Sequence, residues 1–147
     1  MEIQYRKIEN SYDKYYSYLK SLTWDKDNTY CKNKDAGIEW LIQKMIGAYN
    51  EDELIALGSI KKYYDVEKRK IYADLSSIVD FRFRRRGIAD HLLKEMLEYC
   101  KELNVETVKV KIYKNNLPSV SQIEKNDFDF VSFDDKIITF EKKLINR

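Results

Sequence analysis

The sequence predicts a mixed fold of strands and helices, α/β or α+β in class, across its 147 residues. Three observations carry that prediction. Val108, Val110 and Ile112 alternate with Lys109, Lys111 and Tyr113, the period-two pattern of a half-exposed strand. Ile88, Leu92, Leu93, Met96, Leu97, Cys100 and Leu103 recur at helical spacing and form one apolar stripe. Between an apolar run, Ile71 to Val79, and that stripe lies a short basic turn, Arg84-Arg85-Arg86-Gly87-Ile88-Ala89.

The elements follow in chain order. Ile3 to Ile8 reads as a first strand. Asn10-Ser11 offers an N-cap, and Tyr12, Tyr15, Tyr16, Leu19 and Leu22 predict an amphipathic helix over 11–22. Residues 23–35 are polar, with Trp24 and Tyr30 among them as packing or lid residues. Asp35 caps a second expected helix carrying Ile38, Trp40, Leu41 and Met45, while Ile46-Gly47-Ala48-Tyr49 reads as strand. Asn50 to Glu53 is a turn, Leu54 to Tyr64 a longer strand, and Asp65 to Lys70 a charged loop. A strand over 71–79 leads through the basic turn to a helix over 88–103, with Asp90 and Lys94 as an i,i+4 pair on its polar face. After strand 108–112, Asn115 to Ser119 breaks the pattern and a short helix runs through Lys125. Phe128–Phe133 and Lys136–Lys142 are strands joined at Asp134-Asp135, spaced as a hairpin.

Composition narrows the function classes. The apolar fraction is 44%, the charged fraction 35% and the net charge +2, which suits one globular domain over 1–147. Near-balanced charge makes the arginine cluster local and disfavours a nucleic-acid partner, which needs a wide basic excess. Two isolated cysteines, Cys31 and Cys100, make neither a disulfide framework nor a zinc site. Cys100 lies on the apolar stripe and reads as core. No run reaches the length of a membrane span, and the first residues carry no apolar signal region, so a cytoplasmic location without a membrane partner is expected. No metal site is expected.

The basic turn is the strongest functional signal. Arg82, Arg84, Arg85 and Arg86 stand before a helix N-terminus, where each exposed positive charge costs roughly 0.3–1 kcal/mol. An anionic ligand accounts for such a placement, because the turn's N–H groups and the helix dipole favour phosphate. Gly87 and Ala89 are small where a ligand must approach the backbone. His91, the only histidine, falls on the polar helix face beyond the turn and reads as solvated surface.

Arg84, Gly87 and Ala89 match the acetyl-CoA motif of Arg or Gln, two residues, Gly, one residue, then Gly or Ala. With the flanking strand, helix and strand, with Asn116 and Ser119 after the next strand, and with Phe128, the run over about residues 45–142 resembles the GNAT superfamily of N-acetyltransferases. The resemblance implies a mostly antiparallel central sheet flanked by helices, with strands 71–79 and 108–112 splayed apart. It implies acetyl-CoA as cosubstrate and a primary amine as acceptor, in a monomer or homodimer. Pantetheine would pair with backbone near Ile78 and Val79, the pyrophosphate would lie over Arg85, Arg86, Gly87, Ile88 and Ala89 next to Arg84, and Asn116 and Ser119 would stand on the cofactor side.

Two departures are visible. Asp127 stands where the family has the Gly of a Gly-Phe pair. Ile123 stands seven residues after Asn116, where the family often has a Tyr that protonates the leaving thiolate. A positioned general acid contributes about 10²–10⁴ in rate, but a thiol of pKa near 8.5 departs without full protonation. The alternative function is therefore a non-catalytic acyl-CoA-binding or sensing module. For the base that deprotonates the acceptor, Asp74 on the central strand is the first candidate and Asp80 the second, with proton removal through water a further route.

Overall fold

The computed structural model describes residues 2–8 and 38–144. Seven strands form one sheet: β1 (Ile3–Ile8), β2 (Ile38–Asn50), β3 (Glu53–Asp65), β4 (Lys70–Val79), β5 (Thr107–Tyr113), β6 (Asp129–Phe133) and β7 (Ile137–Lys143). Two helices accompany them among the described residues, α1 (Ile88–Glu102) and α2 (Leu117–Lys125). The sheet order is β1-β2-β3-β4-β5-β7-β6. All pairs are antiparallel except β4 with β5, the two strands that flank the α1 crossover. The expected helix over 11–22, and Trp24, Tyr30, Cys31 and the Asp35 cap, lie outside the described residues.

One element differs from the sequence reading. Residues 38–45, expected as a helix capped by Asp35, are strand and run on into the expected strand at 46–49 as β2. Ile38, Leu41 and Met45 fit helical spacing, but Ile38, Trp40, Ile42, Ile46 and Ala48 also fit period two, and the pairing with β3 is irregular only where its register shifts, between Trp40 and Ile42 and between Ala48 and Tyr49. Such short apolar runs are ambiguous in isolation. β3 pairs along the whole of this segment, and β1 pairs with its second half, Met45–Asn50, and that pairing decides for the strand.

The main core lies between the sheet and α1. The predicted stripe is buried as expected: Ile88, Leu92, Leu93, Met96, Leu97 and Cys100 pack on Ala56, Ile60, Ala73, Leu75 and Val108. The close approach of α1 depends on Gly58, because a Cβ there would stand 2.5 Å from the Met96 sulfur. α2 adds Ile123 to the same core. Asp90, paired with Lys94 at 2.9 Å, also accepts from Asn126 at the end of α2 at 2.9 Å, so it ties the two helices together. The C-terminal hairpin leaves β6 at the edge, with Phe130, Val131 and Phe133 exposed. No helix among the described residues is long and apolar enough to cross a membrane.

Asp127 adopts a left-handed conformation, φ 65°, immediately before buried Phe128. The backbone therefore keeps the shape that glycine favours although the side chain differs. Asp127→Gly relieves about 1–2 kcal/mol of left-handed strain against about 0.5–1 kcal/mol of extra unfolded-chain entropy. A net stabilisation of about 0.5–1 kcal/mol in denaturant unfolding is expected. Gly58→Val drives a branched side chain into Met96 and is expected to lower unfolding free energy by about 1–3 kcal/mol, read the same way.

Candidate active site

The site begins where β4 and β5 part. They pair over three positions only, Tyr72 with Thr107, Ala73 with Val108 and Asp74 with Lys109. Beyond Asp74, β4 stays with β3 as far as Val79 opposite Ala56. β5 stays with β7 as far as Tyr113 opposite Ile137. Each strand follows its own half of the sheet, and a wedge opens between Leu75–Val79 and Val110–Tyr113. Backbone N–H and C=O groups facing the wedge have no strand partner across it, which is the arrangement that accepts an extended, amide-bearing ligand.

The basic turn closes the wide end of the wedge. Asp80 donates its N–H to the Ile55 carbonyl at 2.8 Å and caps a 3-10 turn over Phe81–Phe83. Arg84 Nε donates to the Val79 carbonyl at 3.2 Å, which pins the turn to the last residue of β4. Arg85, at φ 64°, and Gly87, at φ 79°, then bend the chain into α1 through left-handed conformations. Gly87 is the N-cap and supplies no side-chain bond, and a Cβ built on it meets nothing within 4 Å. The surface over the first turn of α1 is thus open, and the N–H groups of Ile88, Ala89 and Asp90 have no carbonyl one turn earlier in the helix. Arg85, Arg86 and Gly87 are exposed, Ala89 is half-buried and Ile88 is core.

The arginines divide their duties. Arg82 is held by Asp80 at 3.0 Å and Glu53 at 3.3 Å, so its position has a structural cause without any ligand. The Arg86 guanidinium lies 5.3 Å from the Phe83 ring centroid, which orients it beside the turn. The same Arg82 pair bears on the choice of base. Hydrogen bonds from Arg82 hold the half-buried Asp80 carboxyl below the usual carboxylate range, so it is a weak base.

Asp74 sits at the apex of the wedge, the last residue of β4 paired to β5. It faces away from α1, on the side carrying Lys61 opposite it on β3 and Lys109 beside it on β5. Its Oδ1 is buried and has no hydrogen-bond partner among the described residues. Burial pushes its pKa up from 3.8 to about 6, against Lys109, Lys111, Lys61 and a hydrogen bond from Tyr63, which favour the charged form. Lys109 is shared with Glu141 at 3.9 Å. Further along the same face, Gln43 donates to Ser59 at 2.9 Å, and Ser59 stands opposite Ser76.

The remaining predicted residues lie beside the wedge in different roles. Ile78 is buried with Met45 and Leu57, and Val79 packs on the α1 core, so both offer backbone and not side chain. Asn116 caps α2, its Oδ1 accepting from the Ser119 N–H at 3.4 Å. That bond gives both residues a structural function at the mouth of β5. Ile123 is 4% exposed in the main core and presents no group to the wedge. His91 is an exposed surface residue, as the sequence reading had it, stacked on Tyr5 at 4.1 Å and 3.2 Å from Glu95.

A carboxylate in this position costs stability. The folded state keeps the Asp74 proton up to about pH 6, whereas the unfolded chain releases it near 3.8. Stability is therefore lost as pH rises through that window and stays lower above it. Asp74→Asn removes the titration. It is expected to be more stable than the parent by about 1–3 kcal/mol near pH 8 and equal to it near pH 3.5, in paired denaturant melts.

The chain is similar to known proteins in sequence profile and fold. The sequence profile of the Acetyltransferase (GNAT) family matches residues 5–128. The L-amino acid N-acetyltransferase AaaT of Escherichia coli (strain K12) is 32% identical over 63 residues, 42% of this chain and 39% of that relative. The match thus spans well under half the length of that curated relative. A GNAT-family acetyltransferase from Streptococcus pneumoniae superposes with a TM-score of 0.72 at 13% identity, covering 97% of this chain and 100% of that one. Arabidopsis thaliana NAA60, solved in complex with acetyl-CoA, superposes with a TM-score of 0.69 at 16% identity, covering 97% and 99%. At such identities the solved structures share the fold, while the profile match extends over most of the sequence: this chain belongs to the GNAT acetyltransferase family.

Proposed function

We propose that the protein is an acetyl-CoA-dependent N-acetyltransferase acting on a primary amine, with Asp74 as the base. The observation that carries this reading is a buried carboxylate oxygen at the apex of the wedge with no hydrogen-bond partner among the described residues. Family membership and the acetyl-CoA complex of a structural neighbour support the choice of cosubstrate. The pantetheine arm would lie in the wedge against the backbone of Ile78 and Val79, and the pyrophosphate over residues 85–89 with Arg84, Arg85 and Arg86 around it. Asn116 and Ser119 would hold the start of α2 at the cofactor side. The acceptor ammonium gives a proton to Asp74. The amine nitrogen then attacks the thioester carbonyl, the C–N bond forms, the C–S bond breaks and CoA leaves as thiolate, which takes the second nitrogen proton directly or through water, leaving the neutral amide. A backbone N–H of β4 would receive the charge that develops on the carbonyl oxygen.

Magnitudes favour one kind of acceptor. Moving a proton from an α-amine of pKa about 8 to a carboxyl at about 6 is uphill by about 3 kcal/mol. From a lysine-type amine of pKa about 10.4 it is uphill by about 6 kcal/mol. Both lie below the roughly 16 kcal/mol barrier of a reaction near 10 s⁻¹, and the α-amine leaves more of it for the chemistry. The E. coli relative named for L-amino acids makes an α-amine the first acceptor to assay.

A second reading, a non-catalytic acyl-CoA-binding module, rests on the burial of Ile123 where the family often carries its general acid. Calorimetry and turnover separate the two. Acetyl-CoA is expected to bind with micromolar affinity, and Arg86→Glu to weaken it about tenfold or more, a loss of about 1.4 kcal/mol. CoA release with an α-amine supports the enzyme, and tight binding without release for any amine supports the module. No binding at all removes both.

A further inference from the structure

The buried polar groups around Asp74 include one that the proposed reaction does not use. Tyr63, on β3, is 2% exposed and stands one pair from Asp74, since Tyr63 opposes Tyr72 and Lys61 opposes Asp74. Diagonal neighbours of this kind on one sheet face are within reach of a long side chain. Its ring stacks on Tyr72 with centroids 5.5 Å apart and planes 12° from parallel. Tyr72 is in turn flanked by Lys109 at 5.3 Å and Lys68 at 5.6 Å from its ring. The ring is therefore clamped, with its hydroxyl on the same sheet face as the Asp74 carboxylate and within its electrostatic reach. Burial and the Asp74 charge raise the Tyr63 pKa far above neutrality, so the hydroxyl keeps its proton and is the donor.

We propose that Tyr63 is a positioning residue for Asp74: its clamped hydroxyl holds the carboxylate at the apex of the wedge and leaves Oδ1 for the acceptor ammonium. This rests on the reading of Asp74 as base. The chemical argument is one of division. A carboxylate with both oxygens satisfied by protein would be a poorer base, and one with neither satisfied would be kept protonated by its burial. One donor bond favours the charged form, and one vacant oxygen receives the proton. Among the described residues, the other charged or titratable groups facing Asp74 are Lys61 from β3, Tyr72 from β4, Lys109 and Lys111 from β5, and Glu141 from β7 through Lys109. None of these changes in the variant that tests the idea.

Tyr63→Phe removes the hydroxyl and keeps the ring stack. Two readouts are taken on the full chain. Carboxyl-carbon NMR reports the Asp74 titration without any turnover, and kcat/KM against pH reports the base in the reaction. Losing a bond to the charged form moves the Asp74 titration upward, by about 0.5–1 pH unit, and the acid limb of kcat/KM is expected to move with it. Acetyl-CoA affinity is expected to be unchanged. An Asp74 titration identical to the parent overturns the proposal, whatever the rates do. Asp74→Asn is the separate control: if the acid limb survives in it, Asp74 is not the base, and the Tyr63 proposal falls with that reading. If the limb vanishes there but Tyr63→Phe leaves it in place, only the Tyr63 proposal falls. Should Tyr63→Phe not fold, 3-fluorotyrosine at position 63 makes the hydroxyl a stronger donor, and the titration must then move downward.

Discussion

The divergence of β4 and β5 after Asp74 and Lys109 is the constraint on which the rest of the site depends. A parallel pair usually continues for the length of its strands, because each further residue adds a hydrogen bond. Here both strands have a stronger attachment elsewhere. β4 makes ten consecutive pairs with β3, and β5 makes seven with β7. The right-handed twist of two half-sheets joined over a short seam separates them progressively. Backbone groups that a continuous sheet would have consumed are left facing a cleft. α1 covers one face of the seam, with Gly58 allowing Met96 to sit against β3.

Burial of Asp74 opposes stability and serves chemistry through the same physical effect. Desolvation raises its affinity for a proton, which makes the folded state less stable above about pH 6 and makes the carboxylate a better base. The surrounding lysines and Tyr63 offset part of that cost. They leave an oxygen without a partner among the described residues, an expensive condition in a folded protein and one that concentrates at functional positions. Asp80 shows the opposite arrangement. Arg82 saturates it, holds its pKa down and makes it a structural cap.

The arginine cluster separates into parts that the chain order does not distinguish. Arg82 locks the 3-10 turn, Arg84 fastens that turn to Val79, and Arg85 bends the chain at positive φ. Only then does α1 begin, with Gly87 leaving open surface over its first turn. Part of the unfavourable charge at the helix N-terminus is thus neutralised within the protein, which lowers the share that an anion must account for. Asp127 makes a related point about glycine. The left-handed backbone before Phe128 is retained at φ 65° by a residue that tolerates it, so a mismatch in residue type is not a mismatch in shape.

Local pattern alone determined much of this protein. The stripe from Ile88 to Cys100 and the alternation over Val108–Ile112 are set by side-chain period, which a single element's neighbours do not alter. The basic turn was legible for the same reason, since cluster, glycine and helix start are contiguous. The sequence also pointed to Asp74 by its place on the central strand. Tertiary structure decided what depends on partners. Residues 38–45 became strand because β3 pairs along them and β1 joins from Met45 onward, although their spacing also fits a helix. Asn116 proved a cap for Ser119, and Tyr63 came to Asp74 only through the β3–β4 register. Those pairings join residues distant along the chain, and periodicity within one segment carries no information about which segment will stand beside it.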